Sequence, residues 1–385
     1  MRAAPLPRFV LLYGTLFAAF GAASPFLPSL LQERGLHPSG IGTVLACGTA
    51  VRLLAGPAGG RVADRLGMRR QVLALLTAAA AAVALGYLLP GGLPTLLAVS
   101  VLHASLLAPL VPLADALSVE AAPGRYGWIR GAGSAAFIVG SNVAGHAVAT
   151  MGLPSILWLN AGLLAVAAAA ALAVPDAVAE PAPSGPAGSP LALLRLPGFL
   201  RLMLVAALIQ GSHALHDGFE VLRWTAAGIG PRTAGLLWSE AVLAEVLVFA
   251  LIGPPLLRRI GPRGAALLAA GAGVVRWGVT AVTAAVPAMA LVEPLHGLTF
   301  ALLHLACMGM LAAIVPPPLA ATAQAVYGTV AVGAMSALLT LISGPLYGWY
   351  GASTFWIMAA LCALAVPAAA GLRVPARAPA ALALG

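Results

Sequence analysis

The sequence predicts an all-α integral membrane protein with twelve spanning helices, arranged as two pseudo-symmetric six-helix bundles. Three observations predict it. Of 385 residues, 61% are hydrophobic and 8% are charged, with a mean hydropathy of +0.99, whereas a soluble domain needs far more polar cover. The apolar runs have helix length without strict alternation, so they read as spanning helices rather than barrel strands. Finally, the spacing Arg65, Gly67, Arg69 recurs as Arg259, Gly261, Arg263 about half a chain later. Each copy follows the second span of a six-helix half, as in transporters built from parallel repeats.

The spans are expected near 9–31, 40–60, 71–89, 94–119, 127–150, 154–174, 200–222, 233–256, 264–285, 288–313, 321–347 and 353–372. Arg2 and Arg8 precede a first run that is too long for a signal peptide and lacks a cleavage site, so it reads as a spanning helix. After the second span comes GRVADRLGMRR, Gly60 to Arg70, with Arg61, Asp64, Arg65, Arg69 and Arg70 in one loop. A loop this basic stays on the cytoplasmic side. Gly60 is expected to let two helices approach closely and Gly67 to permit a sharp turn. Asp64, within reach of several guanidinium groups, is the candidate gate.

Between spans six and seven, Pro175 to Pro190 is rich in Pro, Ala, Gly and Ser and carries Asp176 and Glu180. Such a segment is a flexible linker. The chain therefore divides into residues 1–174, a linker 175–199 and residues 200–385. The arginines agree with this topology. Arg61, Arg65, Arg69, Arg70, Arg125, Arg130, Arg195, Arg201, Arg258, Arg259 and Arg263 join Arg2, Arg8, Arg373 and Arg377 on the expected inner side, while Arg34, Arg223 and Arg232 fall in outer loops. Both termini are then cytoplasmic, in an inner (plasma) membrane. The net charge of +9 does not imply nucleic acid, because the arginines form no exposed basic domain.

Ionisable groups inside spans are costly and normally face a cavity or a partner. Span four places Asp115 after Pro109 and Pro112, and span five sets Arg130 at its inner end, with Ser134, Phe137 and Ser141 along one face. Asp115 and Arg130 either meet each other or share a substrate, and Arg52 in span two is a candidate counter-charge for Asp115. Span seven carries His213, His216, Asp217 and Glu220 near its outer end. In span eight, Glu245 shares a face with Trp238 and Phe249, whereas Glu240 does not, and Arg276 of span nine is its expected partner. Span ten offers Glu293, His296, Phe300 and His304 as a stripe of acid, imidazole and aromatic groups.

No metal or cofactor is expected. There is no H-E-x-x-H, and Cys47, Cys307 and Cys362 stand singly inside apolar runs as packing residues. The lipid bilayer, a small solute and protons are the expected partners, and the expected state is a monomer.

The Gly60 loop resembles the loop between helices two and three of the Major Facilitator Superfamily. PLVPLADALS, RYGWIRGAGSAAFIVGS, QGSHA, WSEAVLAEVLVFAL, GVVRWG, LHGLTFALLHLA and QAVYG, spread over both halves, resemble its 3-phenylpropionate permease branch, which is similar to the lactose and oligosaccharide proton symporters. The resemblance implies alternating access with proton coupling. It matches Asp115 and Arg130 to the carboxylate and guanidinium that hold sugar in the lactose permease, and Arg276 and His296 to its coupling network. Thr299 stands where that permease has its coupling glutamate, and Glu293 lies one turn before His296 instead.

Arg130 can bind a carboxylate bidentately, and Phe137, Trp238, Trp277 and Phe300 would suit a ring. The resulting expectation is proton-coupled import of a small organic solute, an aromatic carboxylate above all, with sugar or nucleoside symport and proton-driven efflux of apolar compounds as rivals. Exporters often carry Gly-Pro in span five, which FIVGSNVAGHAV lacks. An intramembrane enzyme would need a nucleophile or metal constellation the sequence does not show. A membrane receptor would have no need of titratable groups in both halves.

Overall fold

The protein is described by a computed structural model over residues 6–175 and 190–373. The expectations for Arg2, Arg377 and most of the linker, including Asp176 and Glu180, lie outside the described residues.

Every regular element among the described residues is helical. Among the described residues, nine helices are long and apolar enough to cross a membrane. Seven of them are α1 Leu6–Ala23, α2 Pro38–Leu66, α3 Arg69–Leu88, α4 Leu93–Ala121, α6 Ser155–Ala173, α7 Phe199–Ala226 and α10 Val286–Ile314, while α5 is the less apolar helix Tyr126–Met151. The remaining two, Pro231–Val282 and Pro317–Ala370, have 52 and 54 residues. At about 1.5 Å per residue each would be roughly 80 Å long, more than twice the ~30 Å hydrocarbon core, so neither is a single crossing. Each also contains a backbone break. Gly261 has φ 70° and ψ 170°, and Gly351 has φ 54° ahead of a short 3₁₀ turn. The breaks give α8 (231–260), α9 (262–282), α11 (317–350) and α12 (351–370). With α5, the described helices supply twelve segments of crossing length.

The repeat read from the sequence has a backbone counterpart. Gly67 ends α2 in the left-handed conformation, φ 63°, and Gly261 ends α8 at φ 70°, where a side chain would be strained. The Met68 amide donates to the Ala63 carbonyl behind Gly67, and Pro262 opens α9, where a missing N–H costs nothing. A second correspondence lies at helix ends. Arg8 of α1 donates to the carbonyl of Ala173 at the end of α6, 3.1 Å, and Arg201 of α7 donates to the carbonyl of Gly371 just after α12. In each half, a guanidinium from the first helix satisfies a terminal carbonyl of the last.

Two compact units emerge, Met1–Ala182 with Trp224–Ser239, and Pro183–Arg223 with Glu240–Gly385. In the first, small residues set the crossing of α1 and α5. A Cβ on Gly21 would collide with the Phe137 carbonyl, and one on Gly140 with the Ala18 carbonyl. Gly60 does not have the expected role, since a Cβ there would meet nothing within 4 Å. The close approach falls one residue earlier, where a Cβ on Gly59 would sit 2.7 Å from the Pro109 ring of α4. In the second unit, π-helical turns interrupt α8 at Val248–Ile252, α10 at Gly297–Leu302 and α11 at Tyr327–Ala334. Such turns re-aim side chains relative to a regular helix and are frequent at functional sites.

Candidate functional site

In the first unit, α1, α4 and α5 bring together Tyr13, Phe17, Asp115, Ser118 and Arg130. The Tyr13 hydroxyl donates to Asp115 Oδ1 at 2.5 Å and lies 3.0 Å from Ser118 Oγ. Arg130 and Asp115 do meet, at 3.9 Å from Nη1 to Oδ1, with side chains 38% and 30% exposed. That distance is an ion pair without a hydrogen bond, and Arg130 Nη1 has no hydrogen-bond partner in the protein. The guanidinium rests over the Phe17 ring, 4.9 Å from its centroid, and Phe17 stacks on Tyr13 at 5.9 Å. A partly exposed guanidinium beside an aromatic face can receive a carboxylate that carries a ring.

Phe137, expected as a wall for a substrate ring, sits on α5 where its carbonyl meets the Gly21 crossing, and the sequence does not single out Phe17 or Tyr13. A signal was present in the glycines of both helices, Gly14 and Gly21 in α1 and Gly133 and Gly140 in α5, which share a seven-residue spacing. A Cβ on Gly133 would come within 3.1 Å of Phe17.

At the α2–α3 loop, Asp64 is held by Arg69. Arg69 Nε donates to Asp64 Oδ1 at 2.7 Å, and Arg69 Nη1 reaches Glu120 at the end of α4, 3.5 Å away. Arg70 donates to the Val174 carbonyl after α6 at 3.4 Å, while Arg61 and Arg65 are exposed. The loop therefore ties the ends of α2, α3, α4 and α6, and Glu120 was not singled out from sequence.

In the second unit, Arg276 of α9 is fully buried and organises the polar groups around it. Its Nη2 donates to Glu293 Oε2 at 2.7 Å and lies 3.1 Å from His216 Nε2, and its Nη1 lies 3.1 Å from His296 Nδ1. Glu293 and His296 reach one guanidinium because Glu293–Leu295 is a 3₁₀ turn, in which positions three apart eclipse. A guanidinium only donates, so His296 Nδ1 accepts and its proton sits on Nε2, 3.4 Å from Glu245 Oε2. His213 is fixed the other way round. Its Nδ1 donates to the carbonyls of Ile209 and Gln210 and its Nε2 accepts from the Thr299 hydroxyl, 2.9 Å. His216 is the branch point, with Nε2 3.3 Å from Glu293 Oε2 and Nδ1 3.0 Å from Asp217 Oδ1.

Arg276 pairs with Glu293, and Glu245 lies 3.4 Å from His296 Nε2. Other placements differ from expectation. His304 lies beyond the π turn of α10 with Tyr327, 3.4 Å, and Phe249, 5.9 Å. Phe300 stacks on His296 at 5.3 Å. Trp277 is not a cavity wall, for it is fully buried, donates its indole N–H to Ser212 at 2.9 Å and lies under Arg276 at 4.4 Å. Arg223 is not in an outer loop, because α7 continues to Ala226 and buries it 3.8 Å from Glu220.

A profile of the MFS_1 like family matches residues 7–358. The chain belongs to that family. This MFS_1-like protein is 36% identical over 364 residues to a protein of Escherichia coli K12 named a probable 3-phenylpropionic acid transporter, covering 90% of this chain and 92% of that one. It is 28% identical over 379 residues to a maltose permease of Geobacillus stearothermophilus, covering 92% and 91%. Among solved structures, the nucleoside transporter NupG superposes with a TM-score of 0.77 at 18% identity, over 96% of this chain and 98% of that one. A POT family peptide transporter does so at 0.71 and 15%, over 98% and 99%.

The MFS_1-like chain is therefore a multi-pass membrane transporter, and these relatives are transporters rather than enzymes. Arg52 has Tyr87 and His103 as electrostatic neighbours, and Trp238 of α8 is buried. A cluster unforeseen from sequence joins α5 to α8, with Ser141 Oγ 2.8 Å from Ser239 Oγ and Asn142 Nδ2 donating to Ser239 Oγ at 2.6 Å.

Proposed function

We propose that this transporter imports a small organic acid together with protons across the inner membrane, and that an aromatic carboxylate is the solute class that fits it best. The observation that carries this reading is the contrast between Arg276 and Arg130. Both terminal nitrogens of Arg276 are engaged by Glu293, His216 and His296, whereas Arg130 Nη1 has no hydrogen bond and lies 3.9 Å from Asp115, beside Phe17. A carboxylate can enter the loose Arg130–Asp115 pair at small cost, and its ring would extend the Tyr13–Phe17 stack. The 36% identical relative named for 3-phenylpropionic acid supports the same class.

Coupling is assigned to Glu293, His296, Arg276 and Glu245, with His304 at the margin. The six-helix halves 1–174 and 200–385 alternate access, joined by 175–199, in a monomer with both termini cytoplasmic. Proton binding within the network would change which groups Arg276 and His216 hold, because a protonated imidazole nitrogen donates where it had accepted. Sugar or nucleoside symport is the second reading. It is favoured by the hydroxyl-binding trio Tyr13, Asp115 and Ser118, by the maltose permease relative and by the NupG fold. Efflux of apolar compounds is disfavoured by a charged pair at this place.

The test is counterflow and pH-driven uptake in proteoliposomes with 3-phenylpropionate, maltose and uridine. The expected result is uphill 3-phenylpropionate accumulation under an inward proton gradient. Glu293→Gln should abolish that accumulation while counterflow, which needs no net proton release, persists. Accumulation by the Gln variant would move coupling elsewhere, and counterflow with uridine or maltose alone would transfer the assignment to the second reading.

A further inference from the structure

One carboxylate in the second unit differs from all the others there. Glu220, on α7 one turn beyond His216, is 0% exposed, and neither of its carboxylate oxygens has a hydrogen-bond partner. Arg223, three residues on and 7% exposed, stands 3.8 Å away, and its Nε and Nη1 are likewise without hydrogen bonds. The groups facing Glu220 are His216 and Arg223 from its own helix, Arg276 from α9, Glu293 from α10 and Tyr347 from α11. Phe219 and Tyr347, with rings 4.9 Å apart, and Phe355, under Arg223 at 5.8 Å, close the site with apolar surface.

A carboxylate buried among rings without a single hydrogen bond is expensive as an anion. Glu293, by contrast, already commits Oε2 to Arg276 and lies beside His216. Glu293 Oε1 also has no hydrogen-bond partner, but a guanidinium bonded to the other oxygen at 2.7 Å favours the anion, whereas neither oxygen of Glu220 has a bond that holds it ionised. Glu220 also occupies the i+4 position from His216, on the same helical face, toward the end of α7 that leads into residues 227–230. In the expected topology that end is external.

We propose that Glu220 is the proton-loading group of this transporter, passing its proton to His216 and so into the Arg276–Glu293 network. In the step, the O–H bond of Glu220 breaks and an N–H bond forms on His216. The resulting imidazolium donates to Glu293 in place of an Arg276 N–H, and the Glu220 carboxylate left behind is compensated by Arg223. No oxidant or further reactant is involved. This inference rests on the proton-coupled reading above and replaces Glu293 by Glu220 as the acid that binds the proton first, leaving Glu293 as its acceptor's partner.

Infrared difference spectroscopy of purified full-length protein, recorded between alkaline and acidic pH, tests it without any solute. Wild type should show a carboxylic-acid C=O band that grows as pH falls. The band should be lost in Glu220→Gln, and lost equally in Glu220→Gln/Arg223→Gln, which leaves no unpaired buried guanidinium and so guards against misfolding. Glu220→Asp should keep a shifted band, and Glu293→Gln should keep it. Persistence of the full band in both Glu220 replacements, or its loss in Glu293→Gln alone, overturns the proposal. Proton uptake accompanying 3-phenylpropionate, maltose or uridine is then measured in liposomes. If the band behaves as expected but wild type moves no protons with any solute, the symport reading fails while the titration of Glu220 stands. If wild type moves protons and Glu220→Gln moves as many, Glu220 is excluded as the loading group.

Discussion

Arg130 and Arg276 share a side-chain chemistry and differ in what surrounds it. The fork of Arg276 is filled by a carboxylate and two imidazoles, so it acts as an internal cation. The fork of Arg130 faces one carboxylate at 3.9 Å and a ring at 4.9 Å, so it has directional capacity left for a ligand. Arg130→Lys keeps the charge and loses the planar pair of donors. Losing one charge-assisted hydrogen bond is worth about 1.5–3 kcal/mol, or roughly a 10- to 100-fold loss of affinity. Affinity for 3-phenylpropionate measured by calorimetry should fall by that factor in the Lys variant, and wild-type affinity would remove Arg130 from the binding site. Glycine carries meaning at the same scale in two places, where Gly67 and Gly261 hold the positive φ that ends α2 and α8.

At the scale of elements, the α2–α3 loop joins four helix ends through few contacts. Asp64 is 56% exposed and meets Arg69 at 2.7 Å, and Arg69 extends the link to Glu120 of α4. An exposed pair of this kind contributes at most about 1 kcal/mol to stability, so its removal should leave the fold and ligand binding unaffected. If the loop acts as a gate, the same removal alters the rate at which helix ends part and rejoin. Asp64→Asn should therefore leave thermal stability nearly unchanged and slow solute turnover several-fold. Turnover equal to wild type would leave the loop with a topological role alone. The π turns of α8, α10 and α11 act on the same scale, since the turn at Gly297–Leu302 separates His296, in the Arg276 network, from His304, beside Tyr327.

For the whole molecule, sidedness follows from the topology proposed above. If the chain crosses twelve times, the loops after Gly67 and after Gly261 share a side and residues 227–230 between α7 and α8 lie opposite. The arginines of the two loops would then keep the shared side cytoplasmic. In a background with Cys47→Ser, Cys307→Ser and Cys362→Ser, a Met68→Cys thiol should be protected from an impermeant maleimide in intact cells, and an Ala227→Cys thiol should react. The reverse pattern would invert the topology and place Glu220 near the cytoplasm.

Composition and periodicity by themselves determined the membrane class and the helical fold, because a bilayer demands apolar helices of fixed length whose backbone groups are satisfied internally. The sequence also located much of the chemistry, since a buried Asp115, Arg130, Arg276 or Glu293 stands out against apolar neighbours. Only the tertiary structure decided the partners. It routed Glu245 through His296, set Phe17 under Arg130, withdrew Trp277 behind the guanidinium of Arg276, moved the close helix contact from Gly60 to Gly59 and buried Arg223 beside Glu220. Helical periodicity fixes which residues share a face, but not which neighbour that face meets. A single 3₁₀ or π turn rotates the face again, and crossings as close as Gly21 on Phe137 are set by the backbones of two helices far apart in sequence.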